Sequence, residues 1–184
     1  TSFASNVARM ETAFYCAEKV GRQIALVGRS MHRMISVARE VGILKDINII
    51  LSEKEAQNKK KSELLYLCTG SQGEPRGAMM RIANNDFHGI DIDKGDTVIF
   101  SSKIIPGNEK KLYGMFNKLS EMQVDVITEY DEDIHVSGHP CEDEMIDMYN
   151  WIKPEISVPV HGEHRHLKYH SELADSLGVK YPML

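Results

Sequence analysis

Cysteine is scarce and unpatterned. Cys16, Cys68 and Cys141 stand far apart, odd in number and with no CxxC spacing. Such a set argues against a disulfide framework or a zinc ribbon and fits free thiols in a reducing cytoplasm. Cys68 closes an apolar run and reads as core packing. No apolar run approaches the length that crosses a bilayer, so no membrane partner is expected. The opening TSFASNVARMETAF has neither the basic start nor the apolar middle of a secretory signal. Positive charge is not in excess either, since 22 Lys and Arg stand against 27 Asp and Glu, a formal net charge of −5. That lowers the case for a protein that coats nucleic acid nonspecifically. It leaves room for an enzyme that holds phosphates with backbone amides and a few side chains.

What is present is an ordinary globular composition, 42% hydrophobic and 27% charged over 184 residues. Short apolar runs at Ile24 to Val27, Leu64 to Cys68, Thr97 to Ser101, Val124 to Ile127 and Ile156 to Val160 are candidate strands. Between them, apolar residues recur at helical spacing. Val7, Met10, Phe14 and Ala17 form one stripe, and Met31, Met34, Ile35, Ala38 and Val41 a second. Leu112, Phe116 and Leu119 form a third, Met145, Tyr149 and Ile152 a fourth, and Leu167, Ala174 and Leu177 a fifth. Gly21, Gly42 and Gly178 follow three of these stripes, where a left-handed cap is wanted. Glu142, Asp143 and Glu144 open the fourth helix and match its dipole. The charge-dense Ser52 to Glu63 segment reads as a short exposed helix or loop whose lysines form a solvated face. Strands joined by helices imply a doubly wound α/β fold, with a mostly parallel sheet and helices on both faces.

In an open parallel sheet, ligands gather where strands end and loops lead into helices. TGSQGEP (Thr69 to Pro75) is such a loop. Its backbone amides, with the Thr69 and Ser71 hydroxyls, can cradle a phosphate, or it is a tight turn. It is no Walker loop, because GK[ST] does not follow. SSKIIPGNE (Ser101 to Glu109) carries Ser101 and Ser102 and turns into a helix at Pro106, Gly107 and Asn108. VGRSMH (Val27 to His32) offers Arg29 and Ser30 to an anion.

Five of the eight histidines fall between His135 and His166. In HVSGH, Gly138 between Ser137 and His139 permits close backbone approach to a ligand. His139 can serve as an acid or as a phosphate donor near neutral pH, although a loop histidine is also often merely solvated. In VPVHGEHRH, His161 follows an expected strand and Gly162 leaves room around it. His161 is the candidate metal ligand of this stretch. His164 and His166 enter the next helix and either line a phosphate path or face solvent. A complete zinc site needs three or four donors, and HxxHxH has no carboxylate or cysteine partner nearby.

Taken together, TSFASN (Thr1 to Asn6), VGRSM, TGSQGEP, GDTVIFSSKIIPGNE, HVSGH and PVHGEHRH resemble the ribonuclease J family. These are metallo-β-lactamase-fold nucleases that carry a β-CASP insert. The resemblance implies that HVSGH is the β-CASP histidine motif, with Ser137, Gly138 and His139 near the scissile or 5′ phosphate. It implies that His161 ligates one of two catalytic zinc ions, making His139 and His161 the catalytic pair. Arg29, Ser30, Thr69, Ser71, Ser101 and Ser102 would lie along a path for single-stranded RNA. It also implies a cytoplasmic parent enzyme that is a homo-oligomer, an endonuclease or a 5′-to-3′ exonuclease.

The family's HxHxDH signature, which supplies most zinc ligands, is missing from these residues. The chain is therefore expected to be a β-CASP domain over residues 1–153 plus a returning metallo-β-lactamase strand and helix over 154–184. Its first β-CASP motif and its metallo-β-lactamase domain would lie outside it. Alone it should bind no zinc stably and cut no RNA. The rival reading is a noncatalytic nucleotide- or anion-binding domain of doubly wound type; another is a plain interaction scaffold.

Overall fold

Alternating apolar residues in two runs fix the centre of the fold, seen in a computed structural model that describes residues 1–45, 47 and 49–184. Strand β1 (Gln23–Val27) pairs in parallel with β2 (Ile50–Leu51) on one side and with β3 (Leu64–Cys68) on the other. Ile24, Leu26 and Leu67 point into one apolar cluster, while Ala25, Val27 and Cys68 point the other way. That period of two, apolar on both faces, is what a sheet covered by helices on both sides demands.

Helices α1 (Val7–Lys19) and α2 (Arg29–Glu40) cover the first face with Met10, Phe14, Ala17, Met31, Ile35 and Ala38. On the other face lie α3 (Glu53–Ala56), α4 (Ala78–Ala83) and α5 (Glu109–Glu121). The buried α5 side chains Leu112, Met115 and Leu119 each contribute roughly 1.5–3 kcal/mol by leaving water. A second parallel pair, β4 (Thr97–Ile99) with β5 (Asp125–Ile127), packs its Val98 into the same cluster. The doubly wound α/β reading describes this architecture.

The two sheets are bridged by residues that carry no strand pattern. The Thr1 nitrogen donates to Ile99 O at 2.6 Å, and Ser101 N–H donates back to Thr1 O at 3.0 Å. On its other side Ser2 N–H donates to Cys68 O at 3.2 Å. The extended start of the chain thus lies between the ends of β3 and β4. This explains why β4 is shorter than the run Thr97 to Ser101: Phe100 N–H still reaches Ile127 O, but Ser101 turns to Thr1.

The chain divides into two compact units, Thr1–Val136 and Ser137–Leu184. The second is a small βαβ unit preceded by a helix. It comprises α6 (Glu142–Ile152), β6 (Ile156–Ser157), α7 (His164–Ser176) and β7 (Tyr181–Pro182), with β6 and β7 parallel. Its centre is polar as well as apolar. Tyr149 Oη meets Ser157 Oγ at 2.5 Å and His170 Nε2 at 2.8 Å, and Ala174 and Val179 are buried apolar residues of this unit. The expected strand Ile156 to Val160 is thus corrected to two residues. Val158 and Val160 face solvent, and among the described residues β6 pairs only with β7. The fourth stripe lies in a helix as expected, α6, with Met145 and Tyr149 half-buried and Ile152 exposed in this unit.

The glycine caps stand as expected, with Gly21, Gly42 and Gly178 all at positive φ. Among the described residues, no helix is long and apolar enough to cross a membrane.

Candidate functional site

Two loops of the second unit bring the selected histidines together. The loop before α6 carries His139 and the loop before α7 carries His161. Their rings meet edge to face, with centroids 5.5 Å apart. In the first loop Ser137 Oγ accepts the His139 N–H at 3.1 Å. That folds the loop into a tight turn and leaves the Ser137 hydroxyl proton free to donate. A Cβ on Gly138 would meet nothing within 4 Å, so its backbone is open to approach.

In the second loop His161 has φ +65°, a left-handed conformation that residues other than glycine seldom adopt. Such backbone persists where surrounding structure over-determines it, and it clusters at functional positions. Part of that structure is the start of α7. Glu163 caps the helix, and its N–H donates to His166 Nδ1 at 3.2 Å. Gly162 leaves just enough space, because a Cβ there would sit 3.0 Å from the His166 Cβ. His164 and His166 are both exposed, and His166 spends Nδ1 on the cap.

The expected anion loops of the first unit lie at the ends of β1, β3 and β4. Arg29 and Ser30 are exposed in the first turn of α2. The β1 and β3 loops touch, since a Cβ on Gly28 would lie 2.6 Å from Thr69 Oγ1. Thr69 Oγ1 accepts the Ala78 N–H at 3.4 Å, and Ser102 Oγ donates to Ser71 O at 3.4 Å. Ser101 Oγ donates to Ile134 O at 2.6 Å. Among the described residues, Ser71 Oγ is buried with no hydrogen-bond partner, as is Ser2 Oγ, a hydroxyl that no sequence pattern marks.

Two organising side chains also escape sequence reading. Buried Gln72 donates through Nε2 to Lys103 O at 2.8 Å and accepts the Ile105 N–H at 3.0 Å and Asn108 Nδ2 at 3.3 Å. It holds the loop after β4 against the loop after β3. Arg9 makes the other clasp, donating to Ser101 O at 2.5 Å and Val136 O at 2.7 Å, with His135 Nδ1 2.7 Å away. Burial, and then the Arg9 charge, hold the His135 pKa below the usual imidazole value, with Lys103 adding and Glu129 opposing.

The fit to a zinc ion can be judged from the donors. His139 and His161 supply two imidazoles where a zinc site takes three or four ligands. Among the described residues, no group of three or more His, Cys, Asp or Glu side chains could hold a metal. Among the described residues, these two imidazoles alone do not complete such a site.

Comparison with known proteins bears on what this geometry belongs to. The ribonuclease J β-CASP domain model matches residues 1–119, and the Zn-dependent metallo-hydrolase RNA specificity domain matches residues 123–182. The chain belongs to the ribonuclease J family. It is 42% identical over 179 residues to ribonuclease J of Sinorhizobium meliloti, covering 97% of this chain and 32% of that protein. It is 43% identical over 179 residues to ribonuclease J 1 of Streptococcus pyogenes, with the same coverage. Ribonuclease J of Helicobacter pylori is 37% identical over 180 residues, 97% of this chain and 26% of that protein. The chain thus spans about a third or less of the ribonuclease J relatives it matches.

Proposed function

We propose that this chain is the RNA-clamping part of a zinc-dependent ribonuclease that acts on single-stranded RNA, as an endonuclease, a 5′-to-3′ exonuclease or both. The convergence of His139 and His161 carries the reading. Ser137 donates its free hydroxyl proton, Gly138 its N–H, and His139 a ring proton to the scissile or 5′ phosphate. His161 gives one ligand to a zinc ion whose other ligands come from elsewhere in a longer polypeptide. Two such ions, when bound, would supply an activated water for phosphodiester hydrolysis. Arg29, Ser30, Thr69, Ser71, Ser101 and Ser102 line the approach of the RNA. Family membership supports the ribonuclease reading as a whole, and the open Gly138 backbone supports the phosphate site in particular.

In this reading residues 1–153 act as the clamp and 154–184 as the segment returning to the metal-bearing domain. That functional division is distinct from the boundary between compact units. The full-length protein would be a homo-oligomer, and a cytoplasmic one in keeping with the free Cys16, Cys68 and Cys141.

Cleavage assays test the proposal. The full-length polypeptide should cut 5′-monophosphorylated single-stranded RNA in a chelator-sensitive manner, and residues 1–184 alone should not. Metal-dependent cleavage by the isolated chain would overturn the division of labour. Tight mononucleotide binding without cleavage by the full-length protein would favour a noncatalytic anion-binding domain instead.

A further inference from the structure

Arg9 sits where a cation is electrostatically out of place. It is the third residue of α1, and its backbone N–H donates to the capping Asn6 Oδ1 at 3.0 Å. A positive side chain there faces the positive end of the helix dipole, and no acidic residue in that turn offsets it. Its partial burial also disfavours the charge and lowers its pKa. Helix formation gains nothing from arginine at this position, so the compensation must come from the contacts of the guanidinium.

Those contacts converge on one short segment. One terminal nitrogen of Arg9 serves both Ser101 O and His135 Nδ1, and the other serves Val136 O. Ser101 in turn donates its hydroxyl to Ile134 O. Three consecutive residues, Ile134 to Val136, are therefore tied to α1 and to the end of β4. The next residue is Ser137, which opens the phosphate loop.

We propose that Arg9 is a positioning residue for that loop. By holding Ile134 to Val136 it fixes the point from which Ser137, Gly138 and His139 depart. This rests on the phosphate role given above to those three residues. Direct capture of an RNA phosphate by Arg9 is a poorer use of the same geometry, because three of its five N–H groups, on both terminal nitrogens, already go to protein acceptors. Lysine cannot replace it, since one ammonium does not span acceptors arranged for a planar fork. A guanidinium only donates, so His135 Nδ1 must be the unprotonated acceptor. The charged groups facing that ring are Arg9, Lys103 and Glu129. Protonation of His135 would put a second donor against Arg9 and release the clasp.

The test uses the full-length protein, with 5′-monophosphorylated single-stranded RNA as substrate and amide exchange followed across Ile134 to His139. Arg9→Met and His135→Phe should lower kcat about tenfold or more, with KM and bound zinc unchanged. Arg9→Lys should not rescue. His135→Asn places an amide oxygen where Nδ1 stands; it should keep kcat near wild type and remove the His135 step from the acid limb of the pH profile. Arg9→Met should also speed exchange across the segment. Full kcat in Arg9→Met, or parallel loss of kcat and zinc, would overturn the proposal. If the wild-type protein itself fails to cut RNA, the functional reading has failed, and exchange decides alone. Faster exchange in Arg9→Met then supports the clasp, and unchanged exchange refutes it.

Discussion

His139 and His161 come from different loops, one ahead of α6 and one ahead of α7, yet their rings meet at 5.5 Å. The contact joins a residue assigned to phosphate with one assigned to metal. His161 holds a left-handed backbone in this arrangement, two residues ahead of the Glu163 cap of α7.

Gly162→Ala tests that support. The new Cβ would press on His166, whose ring completes the cap with Glu163. Loss of that cap should cost the second unit about 1 kcal/mol. Trp151, the single tryptophan, lies in α6 and reports on this unit through fluorescence-monitored unfolding. An unchanged midpoint would mean that Gly162 is not needed for the cap.

Gln72→Ala should be costly for a polar substitution. It leaves Lys103 O, the Ile105 N–H and the Asn108 side chain without their partner. Unfolding in urea, followed by circular dichroism, should show a loss of about 2 kcal/mol or more. A loss under about 0.5 kcal/mol, the range of an ordinary surface change, would contradict the account.

Much of the fold was legible because burial on both faces leaves a mark in sequence. The runs at β1 and β3 coincide with the strands almost residue for residue, and the α1, α2 and α5 stripes supply the buried residues. Strands β2 and β7 left no mark. Each has two residues, and β7 contains Pro182, a residue that strand patterns exclude. The Thr1–Ser2 bridge was invisible because two extended residues show no period. At the site, histidines flanking small residues could be read directly. Gln72 and Arg9 could not, since they act on backbone groups distant in sequence. Arg9 did leave one clue, a cation in a helix's first turn with no acidic companion.

Stability should also carry a signature of His135. Its pKa is held below the ordinary value of 6.5, first by burial and then by Arg9. The folded state thus favours the neutral ring, and the unfolded chain binds more protons. The contribution is complete above about pH 6.5 and drains away as pH falls through the folded value. Unfolding midpoints measured across that range should fall more steeply for wild type than for His135→Asn. Identical slopes would show that the Arg9–His135 contact does not depend on a neutral ring.

The most direct test of the central claim compares two single substitutions in the full-length protein, scored for both RNA cleavage and zinc content. His139→Ala removes a phosphate donor and should cut cleavage about tenfold or more while zinc content stays at the wild-type level. His161→Ala removes a ligand and should lower zinc content and cleavage together. Equal zinc loss in both variants, or full cleavage by either, would contradict the roles assigned to this pair.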